Sequence, residues 1–361
     1  MSTESQSPSH DTLGDLREKY AGNEYAQNFV LSLHYPVPYD GKIPLDNDDV
    51  NSLDAAIVVL RHLFAQVSAD GRDGWDGNPL ERMIWAVLGE PSGREEQSRA
   101  RFEILKTCKE RVEGLQAATF FNLMENRLMW DTVWKRLVFM FWHPQIVEMV
   151  DGADSFELVE FCGEPSQLAM EGLIEYEGQG TLSDFLSNQL GVKRDEETKT
   201  SYLWHFNDPV ILRVAYVHNP ANGEPKTFKD LARISINPHR FKKSEEDGSF
   251  IYSYDSEDPE RVAYVLVAAV CCQNRQDSTD RIRLYRITGQ PIAFAADSIG
   301  RFGGDQWKLG QKETRYMLYY ALTPAGVPSD VVQEEIAPRR LEPTVLRSME
   351  AWMTPKEDNR G

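Results

Sequence analysis

The pattern of hydrophobic and polar positions in the first 150 residues is mainly helical. The clearest helix is expected over residues 52–67, where apolar side chains recur three or four positions apart. The side chains that define this face are Leu53, Ile57, Leu60 and Phe64. Two further helices are expected over 95–115 and 116–141, and Pro144 follows the second of them as a stop signal.

After residue 150 the pattern changes to short runs rich in β-branched and aromatic residues. The predicted strands are 210–217, 231–236, 262–272, 281–287 and 316–322. The run VAYVLVAAVCC at 262–272 is almost wholly apolar, which is typical of a strand covered on both faces. One helix is expected over 182–190 in this half. A helical first half and a mainly antiparallel second half predict an α+β fold.

The composition adds a strongly acidic charge. The chain carries 39 basic and 57 acidic side chains, a net charge of −18. Such a field repels the phosphates of nucleic acids and of anionic lipids, and no basic cluster is longer than Arg240, Lys242 and Lys243. We therefore expect no nucleic-acid or membrane partner, and a neutral or basic protein as the partner.

The cysteines and the N-terminal residues of the sequence indicate the cellular compartment. The four cysteines, Cys108, Cys162, Cys271 and Cys272, form neither a disulfide framework nor a zinc-binding spacing. Residues 1–12 are polar and without an apolar core, so we expect a disordered lead and no secretory signal. A cytoplasmic or nuclear protein is the expectation.

The sequence contains no complete catalytic or cofactor motif of a common enzyme class, so no cofactor is expected. Asp46, Asp48 and Asp49 resemble the start of a calcium loop, but Val50 and Asn51 stand where the fifth ligand and the glycine are needed. The seven histidines show no metal-binding pair and are expected at the surface or at the edge of the core. An aromatic cluster is expected to pack between helices, and it consists of Trp130, Trp134, Phe139, Phe141 and Trp142.

An ordered set of segments resembles the catalytic domain of ubiquitin-specific proteases. DPVILRVAYV (208–217) is similar to the strand after the fingers region, and GTLSDFLSNQL (180–190) to the short helix that follows the fingers strands. YVLVAAVCC (264–272) followed by DRIRLYR (280–286) resembles the pair of strands that carries the histidine, and YMLYYAL (316–322) the final palm strand. The helix at 52–67 looks like the one that bears the nucleophile. The resemblance implies a papain-like α+β fold, with a helical thumb lobe packed on a mostly antiparallel palm sheet.

The family's nucleophile pattern, N-x-C-Y-M-N-S, falls on residues 49–55. Asn51 then stands at the position of the cysteine, and its amide is no nucleophile at neutral pH. Asp49 stands at the position of the amide that stabilises the oxyanion, where a carboxylate would repel the developing negative charge. Both replacements oppose acyl transfer.

The family's histidine pattern, G-H-Y-x-A-Y, falls on residues 280–285. Arg281 then replaces the general base, and a guanidinium that stays protonated cannot accept a proton from a thiol. Asp297 stands at the position of the acid that orients the histidine. Cys162 stands without the other cysteines of the fingers zinc site, so no metal is expected.

The resemblance divides the chain into regions. A disordered N-terminus at 1–12 and an extension at 13–45 precede a ubiquitin-specific-protease-like domain at 46–325. That domain has a helical thumb-like lobe at 46–150 and a β-rich fingers and palm lobe at 151–325. A C-terminal extension with a disordered tail, 326–361, follows.

Three functions remain open at this point. The leading hypothesis is an inactive deubiquitinase-like protein that binds ubiquitin, a ubiquitin-like modifier or another protein. The second is an active cysteine deubiquitinase with a displaced thiol, although Cys108 lies in a helical stretch and Cys271 and Cys272 lie in a strand. The third is a scaffold subunit of a nuclear or cytoplasmic complex on an unrelated α+β fold.

Overall fold

A computed structural model gives the fold over most of the chain. It describes residues 13–72, 77–88, 93–150, 157–160, 163–197, 199–246, 249–254, 261–272, 280–295, 298–303, 307–310, 314–323, 336 and 340–353. Across these residues the fold is α+β, with a helical lobe packed on a mostly antiparallel sheet, which confirms the predicted class. The predicted disordered ends, 1–12 and 354–361, lie outside the described residues.

The helical lobe occupies the first part of the chain. Its helices are α1 (Leu16–Lys19), α2 (Glu24–Leu33), α3 (Asn47–Phe64), α4 (Glu81–Ile84), α5 (Arg94–Arg111), α6 (Phe120–Met124) and α7 (Arg127–Met129). The later helices are α8 (Pro165–Glu171), α9 (Leu182–Ser187), α10 (Phe228–Leu231) and α11 (Pro343–Met353). Short 3-10 or π turns cover Ala69–Gly71, Trp130–Trp134, Leu137–Phe139, Pro220–Asn222 and Ile299–Gly303. No helix in the described ranges is long and apolar enough to cross a membrane.

The helix predicted over 116–141 is wrong as a continuous element, because the chain breaks there into several short turns. The side chains of Thr119 and Asn126 accept hydrogen bonds from backbone N–H groups, at Asn122 and Met129 respectively, and so start new helices. The aromatic cluster packs inward as expected. Trp134, Phe139, Phe141 and Trp142 are buried, and the rings of Trp134 and Phe139 meet edge to face at 5.2 Å.

The strands form two main sheets. They are β1 (Gln145–Val150), β2 (Glu157–Glu160), β3 (Leu173–Tyr176), β4 (Gly191–Asp195), β5 (Thr200–Trp204), β6 (Ile211–Val217), β7 (Arg233–Ile236), β8 (Phe241–Glu246), β9 (Ser249–Tyr254), β10 (Val262–Cys272), β11 (Arg281–Leu284), β12 (Phe294–Ala295), β13 (Arg315–Leu322) and β14 (Arg340–Leu341). The larger sheet has the order β11-β10-β13-β6-β3, with β7 paired to β10, and only the β3–β6 pair is parallel. A four-stranded antiparallel sheet, β2-β1-β5-β4, was not predicted. The pairs β8–β9 and β12–β14 are separate.

The predicted strands of the larger sheet are present, with shifted ends. β10 matches the apolar run 262–272, and its residues from Tyr264 to Cys272 are buried because it pairs with β7, β11 and β13. β11 is shorter than predicted and ends at Leu284, because the chain turns at Gly289, whose φ is 78°.

The long helix α3 is the element that joins the two halves. Every residue from Ser52 to Phe64 is buried, and the helix packs against β10 and β11 of the larger sheet as well as against neighbouring helices. The central helix thus lies on a mostly antiparallel sheet. The same core includes residues of α1 and α2, and Met353 at the end of α11, while the proposed domain bounds stay a prediction.

Candidate functional site

The predicted start of the central helix is wrong by more than one turn. α3 begins at Asn47, because the side chain of Asp46 accepts hydrogen bonds from the N–H groups of Asp48 and Asp49 at 2.8 and 3.4 Å. Asn51 therefore lies inside the helix, half-buried, beyond the N–H groups that a helix leaves free at its start. A thiol at position 51 would not have the direct activation that a helix N-terminus gives.

Asp49 is held by two structural contacts. Its Oδ2 lies 2.5 Å from Nζ of Lys109 on α5, and its Oδ1 accepts from the N–H of Ala118 at 3.0 Å. The carboxylate thus joins the first turn of α3 to α5 and to the segment before α6. It serves packing between elements, in a place where the family resemblance implies an oxyanion-binding amide.

A buried hydrogen bond links α3 to the start of β11. The hydroxyl of Ser52 donates to Oδ2 of Asp280 at 2.7 Å, and the N–H of Phe120 donates to the same oxygen at 3.3 Å. Ser52 follows Asn51 and Asp280 precedes Arg281, so the two segments that the resemblance pairs do meet. The contact between them is a bond from a hydroxyl to a carboxylate.

Arg281 acts as a clamp on the backbone of a neighbouring turn. Its Nη1 donates to the carbonyl oxygens of Gly300 at 2.9 Å and Arg301 at 3.4 Å. A guanidinium has donors only and keeps its proton, so this side chain cannot act as a base. Asp297, the candidate orienting acid, lies outside the described residues, and the role of these positions in the family alignment stays a prediction.

A buried charge cluster lies further along α3, around Asp54. Asp54 accepts from Nε and Nη2 of Arg101 at 2.8 and 2.9 Å, and from Nη2 of Arg301 at 2.5 Å. The two arginines also donate to the carbonyl oxygens of Val37 and Pro36, respectively. One carboxylate therefore fixes α3, α5 and the turn Ile299–Gly303 against each other.

His62 corrects the expectation that the histidines lie at the surface or the core edge, because it is only 1% exposed. Its Nε2 lies 3.2 Å from the carbonyl oxygen of Tyr285 and must donate to it, so Nδ1 of the neutral ring accepts from the hydroxyl of Ser32 at 3.2 Å. Burial lowers the pKa of His62 to about 4. Both nitrogens are thus engaged in structural bonds.

The described thiols are poor nucleophiles in this environment. Burial raises the pKa of Cys108 to about 11 and raises the pKa of Cys272 well above its ordinary value. The nearby carboxylate of Asp280 acts in the same direction on Cys272. A thiol reacts as its thiolate, so neither residue has the low pKa that acyl transfer requires at neutral pH.

A second buried ion pair lies in the sheet and was not predicted from the sequence. Nη1 of Arg213, in the middle of β6, contacts both carboxylate oxygens of Glu125 at 2.7 and 2.5 Å, and its Nη2 donates to the carbonyl oxygen of Ala169. The guanidinium also stacks 4.6 Å from the ring centroid of Trp134. The available signal was one arginine inside the apolar run VILRVAYV.

No group of three or more metal-ligating side chains comes together within the part of the chain that the structure describes. Cys162 lies outside that part, so the absence of a fingers zinc site stays a prediction.

No family model matches this sequence, and no curated protein matches it. Among solved structures, the chain is similar to the Saccharomyces cerevisiae Pan2 pseudoubiquitin hydrolase–RNA exonuclease module in complex with AAUUAA RNA. The identity is 10% and the TM-score 0.33, over 85% of this chain and 52% of that one, so this chain spans about half its length. The S. cerevisiae PAN2 pseudoubiquitin-hydrolase matches with 10% identity and a TM-score of 0.32, over 80% of this chain and 88% of that one. The likeness to both structures is distant.

The hydrogen bond between Ser52 and Asp280 can be tested by removing the hydroxyl group of Ser52. We expect Ser52→Ala to lower the free energy of unfolding by about 1–3 kcal/mol, because a buried carboxylate loses a donor. Urea denaturation followed by circular dichroism measures the change. The matched control is Ser348→Ala, whose exposed hydroxyl bonds only within α11, and which should stay within about 0.5 kcal/mol of the unmodified protein. An equal loss in the two variants would contradict the assignment.

Proposed function

We propose that this protein is a catalytically inactive, deubiquitinase-like binding module for ubiquitin or a ubiquitin-like modifier. The observation that carries the proposal is the set of structural bonds around the junction of α3 with the start of β11. Ser52 bonds to Asp280, Asp49 bonds to Lys109, and Arg281 clamps the backbone at Gly300. These groups occupy the region where the family resemblance implies a nucleophile, an oxyanion donor and a base.

The chemistry of these groups supports binding over turnover. Ser52, Asp49 and Arg281 each hold one element against another, and the described thiols Cys108 and Cys272 have raised pKa values. A rigid junction between the helical lobe and the sheet keeps the shape of the molecule constant. A constant shape favours recognition of a folded partner because little order has to be created on binding.

The charge of the chain favours a basic partner. A net charge of −18 attracts a partner with a basic tail, such as that of ubiquitin, and speeds their encounter. We expect binding with a dissociation constant in the micromolar to millimolar range, roughly 4–8 kcal/mol of binding free energy. It should weaken as salt shortens the screening length to about 8 Å or less.

The direct experiment is a titration of ¹⁵N-labelled ubiquitin with this protein, followed by ubiquitin amide shifts. The expected result is a contiguous set of shifted amides that saturates and that weakens with added salt. A labelled control protein of similar size and charge should show no localised shifts. Absence of ubiquitin shifts at millimolar protein, with the fold verified by circular dichroism, would contradict the proposal and favour a scaffold role.

Inactivity is tested separately with ubiquitin-based electrophilic probes. We expect no covalent adduct by mass spectrometry, because the described thiols are buried and the pKa values of Cys108 and Cys272 are raised. An active deubiquitinase treated in parallel shows that the probe is competent. An adduct that disappears when one cysteine is changed to alanine would establish a displaced nucleophile instead.

A further inference from the structure

The four-stranded sheet β2-β1-β5-β4 has buried apolar side chains of its own. Ile146, Val147 and Leu203 are buried, yet none of them belongs to the main hydrophobic core that the described residues form. Val147 lies opposite Leu203 in the register of β1 and β5, so apolar side chains pack across the strands of this sheet. A unit with separate packing can open at a lower free energy than the whole molecule unfolds.

The sheet is joined to the main core where the segment before β1 meets the segment after β5. Trp142 and Phe206 form an isolated antiparallel bridge there, and both side chains belong to the main core. The backbone N–H of His143 donates to the carbonyl oxygen of His205 at 3.2 Å. This junction is therefore one of the places that fix the orientation of the four-stranded sheet.

Two histidine rings stack at the same junction. The ring centroids of His143 and His205 lie 4.4 Å apart, with 28° between the ring planes. The N–H of Gln145 donates to Nδ1 of His143 at 3.1 Å, and Nε2 of His205 donates to the carbonyl oxygen of Gln145 at 2.9 Å. Both rings thus bond to the first residue of β1. Two positive charges at this ring separation would repel each other, so the stack requires that at least one ring is neutral.

The surroundings of His205 oppose its protonation. Burial lowers the pKa of His205 to about 4, and the ring of His143 and the guanidinium of Arg240 act in the same direction. The one carboxylate that contacts Arg240 in the described part of the chain is that of Asp208. Since it is paired with Arg240, this carboxylate gives little stabilisation to a positive charge on His205.

The elements next to the junction add further basic groups. Nζ of Lys193 on β4 lies 5.3 Å from the ring centroid of Trp142. The ring of His239 lies beside the start of β4, where a Cβ on Gly191 would be 3.2 Å from its Nδ1. A proton on His205 is therefore added to a region that already carries positive charge on Lys193 and Arg240.

We propose that the stacked pair of His143 and His205 is an acid-sensitive latch that holds the four-stranded sheet against the main core. At neutral pH the stack keeps the sheet in the observed position. On acidification the open junction, where His205 is in contact with water, takes up a proton before the closed junction does. The sheet then opens while the main core stays folded. The latch is independent of the proposed binding of ubiquitin.

The direction and size of the effect follow from the two states of His205. Its pKa is 6.5 when the ring is in water and about 4 in the closed junction. The contribution of the latch is therefore fully present above pH 6.5 and is lost as the pH falls to about 4. Between pH 7.5 and pH 5.0 the opening equilibrium of the sheet should rise about 30-fold.

Amide hydrogen exchange of the full chain at pH 7.5 and pH 5.0, followed by mass spectrometry, tests the latch. After correction for the intrinsic pH dependence of exchange, the protection factors of β1, β4 and β5 should fall about 30-fold. In His205→Gln, which keeps a donor for the carbonyl oxygen of Gln145 but does not titrate, they should fall less than about threefold. Constant protection of these strands, or an equal fall in the variant and the unmodified protein, would overturn the proposal.

His62→Gln separates local opening of the sheet from global unfolding, because His62 is buried in the main body and is also sensitive to acid. This variant should reduce the acid-induced fall of protection in β10 and β13 and leave the fall in β1, β4 and β5 as it is. An equal reduction in both sheets would show that the four-stranded sheet opens only with the whole molecule, and the latch would be wrong.

The matched control for His205→Gln is His34→Gln. Nδ1 of His34 contacts the carbonyl oxygen of Leu88 at 3.1 Å in the helical lobe, away from the junction. The protection of β1, β4 and β5 should fall about 30-fold in this variant, as in the unmodified protein. If His34→Gln removed that fall as fully as His205→Gln does, the effect would not belong to the stacked pair.

Discussion

Asp54→Ala is expected to lower the free energy of unfolding by about 3–5 kcal/mol, the cost of removing one partner from a buried ion pair. Asp54 and Arg101 are both 0% exposed, and the carboxylate accepts two bonds from Arg101 and one from Arg301. The variant would leave a guanidinium buried without its counter-charge. Since domains are stable by only about 5–15 kcal/mol, this is a large share of the total.

Urea denaturation followed by circular dichroism measures the effect of Asp54→Ala. The matched control is Asp131→Ala, because Asp131 pairs with Arg127 on an exposed surface and should contribute about 0.5 kcal/mol or less. Asp54→Asn separates charge from shape, since the amide has nearly the same size but no negative charge, and it should also be strongly destabilised. A loss below about 1 kcal/mol in Asp54→Ala would contradict the structural role given to this cluster.

Acidification from pH 6.5 to pH 4 is expected to remove about 3 kcal/mol of stability through His62 alone. Burial lowers the pKa of His62 from 6.5 to about 4, so the unfolded chain takes up a proton before the folded one does. The contribution of this group is therefore fully present above pH 6.5. It is lost progressively as the pH falls from 6.5 to about 4, and the loss levels off below pH 4.

The measurement compares stability at pH 7.5 and pH 4.5 for the unmodified protein and for His62→Gln, which retains a donor and an acceptor but does not titrate. Between these two pH values, the free energy of unfolding of the variant should fall by about 3 kcal/mol less than that of the unmodified protein. The contributions of the other titratable groups cancel in this comparison. The control is His239→Gln. The ring of His239 is only half-buried and burial lowers its pKa less strongly than that of His62, so the acid sensitivity of this variant should differ less from that of the unmodified protein. Identical acid sensitivity of the His62→Gln variant and the unmodified protein would exclude a neutral, buried His62.

The elements that sequence reasoning predicted well are those with a strong local pattern. β10 was predicted to the residue, because an eleven-residue apolar run without glycine or proline favours a strand covered on both faces. The strands β6 and β13 were found within a few residues for the same reason, and the helix α5 was also found within a few residues. Local patterns are sufficient where the hydrophobic period alone defines which face is buried.

Where several residues compete for one local role, the prediction was less accurate. Asp46 and Asn51 are both good N-cap residues, and the structure uses Asp46. The helix α3 therefore begins five residues before the predicted start, and Asn51 lies inside the helix instead of at its N-terminus. The predicted helix 116–141 was divided by caps at Thr119 and Asn126, whose side chains accept hydrogen bonds from backbone N–H groups and start new helices. The four-stranded sheet was missed because its short strands carry many polar residues and gain order from pairing with each other.

The sequence by itself determined the α+β class and the apolar strands at the centre of the sheet, while the match of Asn51 and Arg281 to the positions of the family's cysteine and histidine stays a prediction. Only the tertiary structure decided what the polar side chains near those positions do. Ser52 and Asp280 are 228 residues apart in sequence, and Asp54 and Arg301 are 247 apart, yet each pair is in contact. The physical reason is that a charged residue on a helix has the same local pattern whether it faces water or a distant counter-charge. The packing of α3 against the sheet is what removes these groups from water, and only then must each of them have a partner.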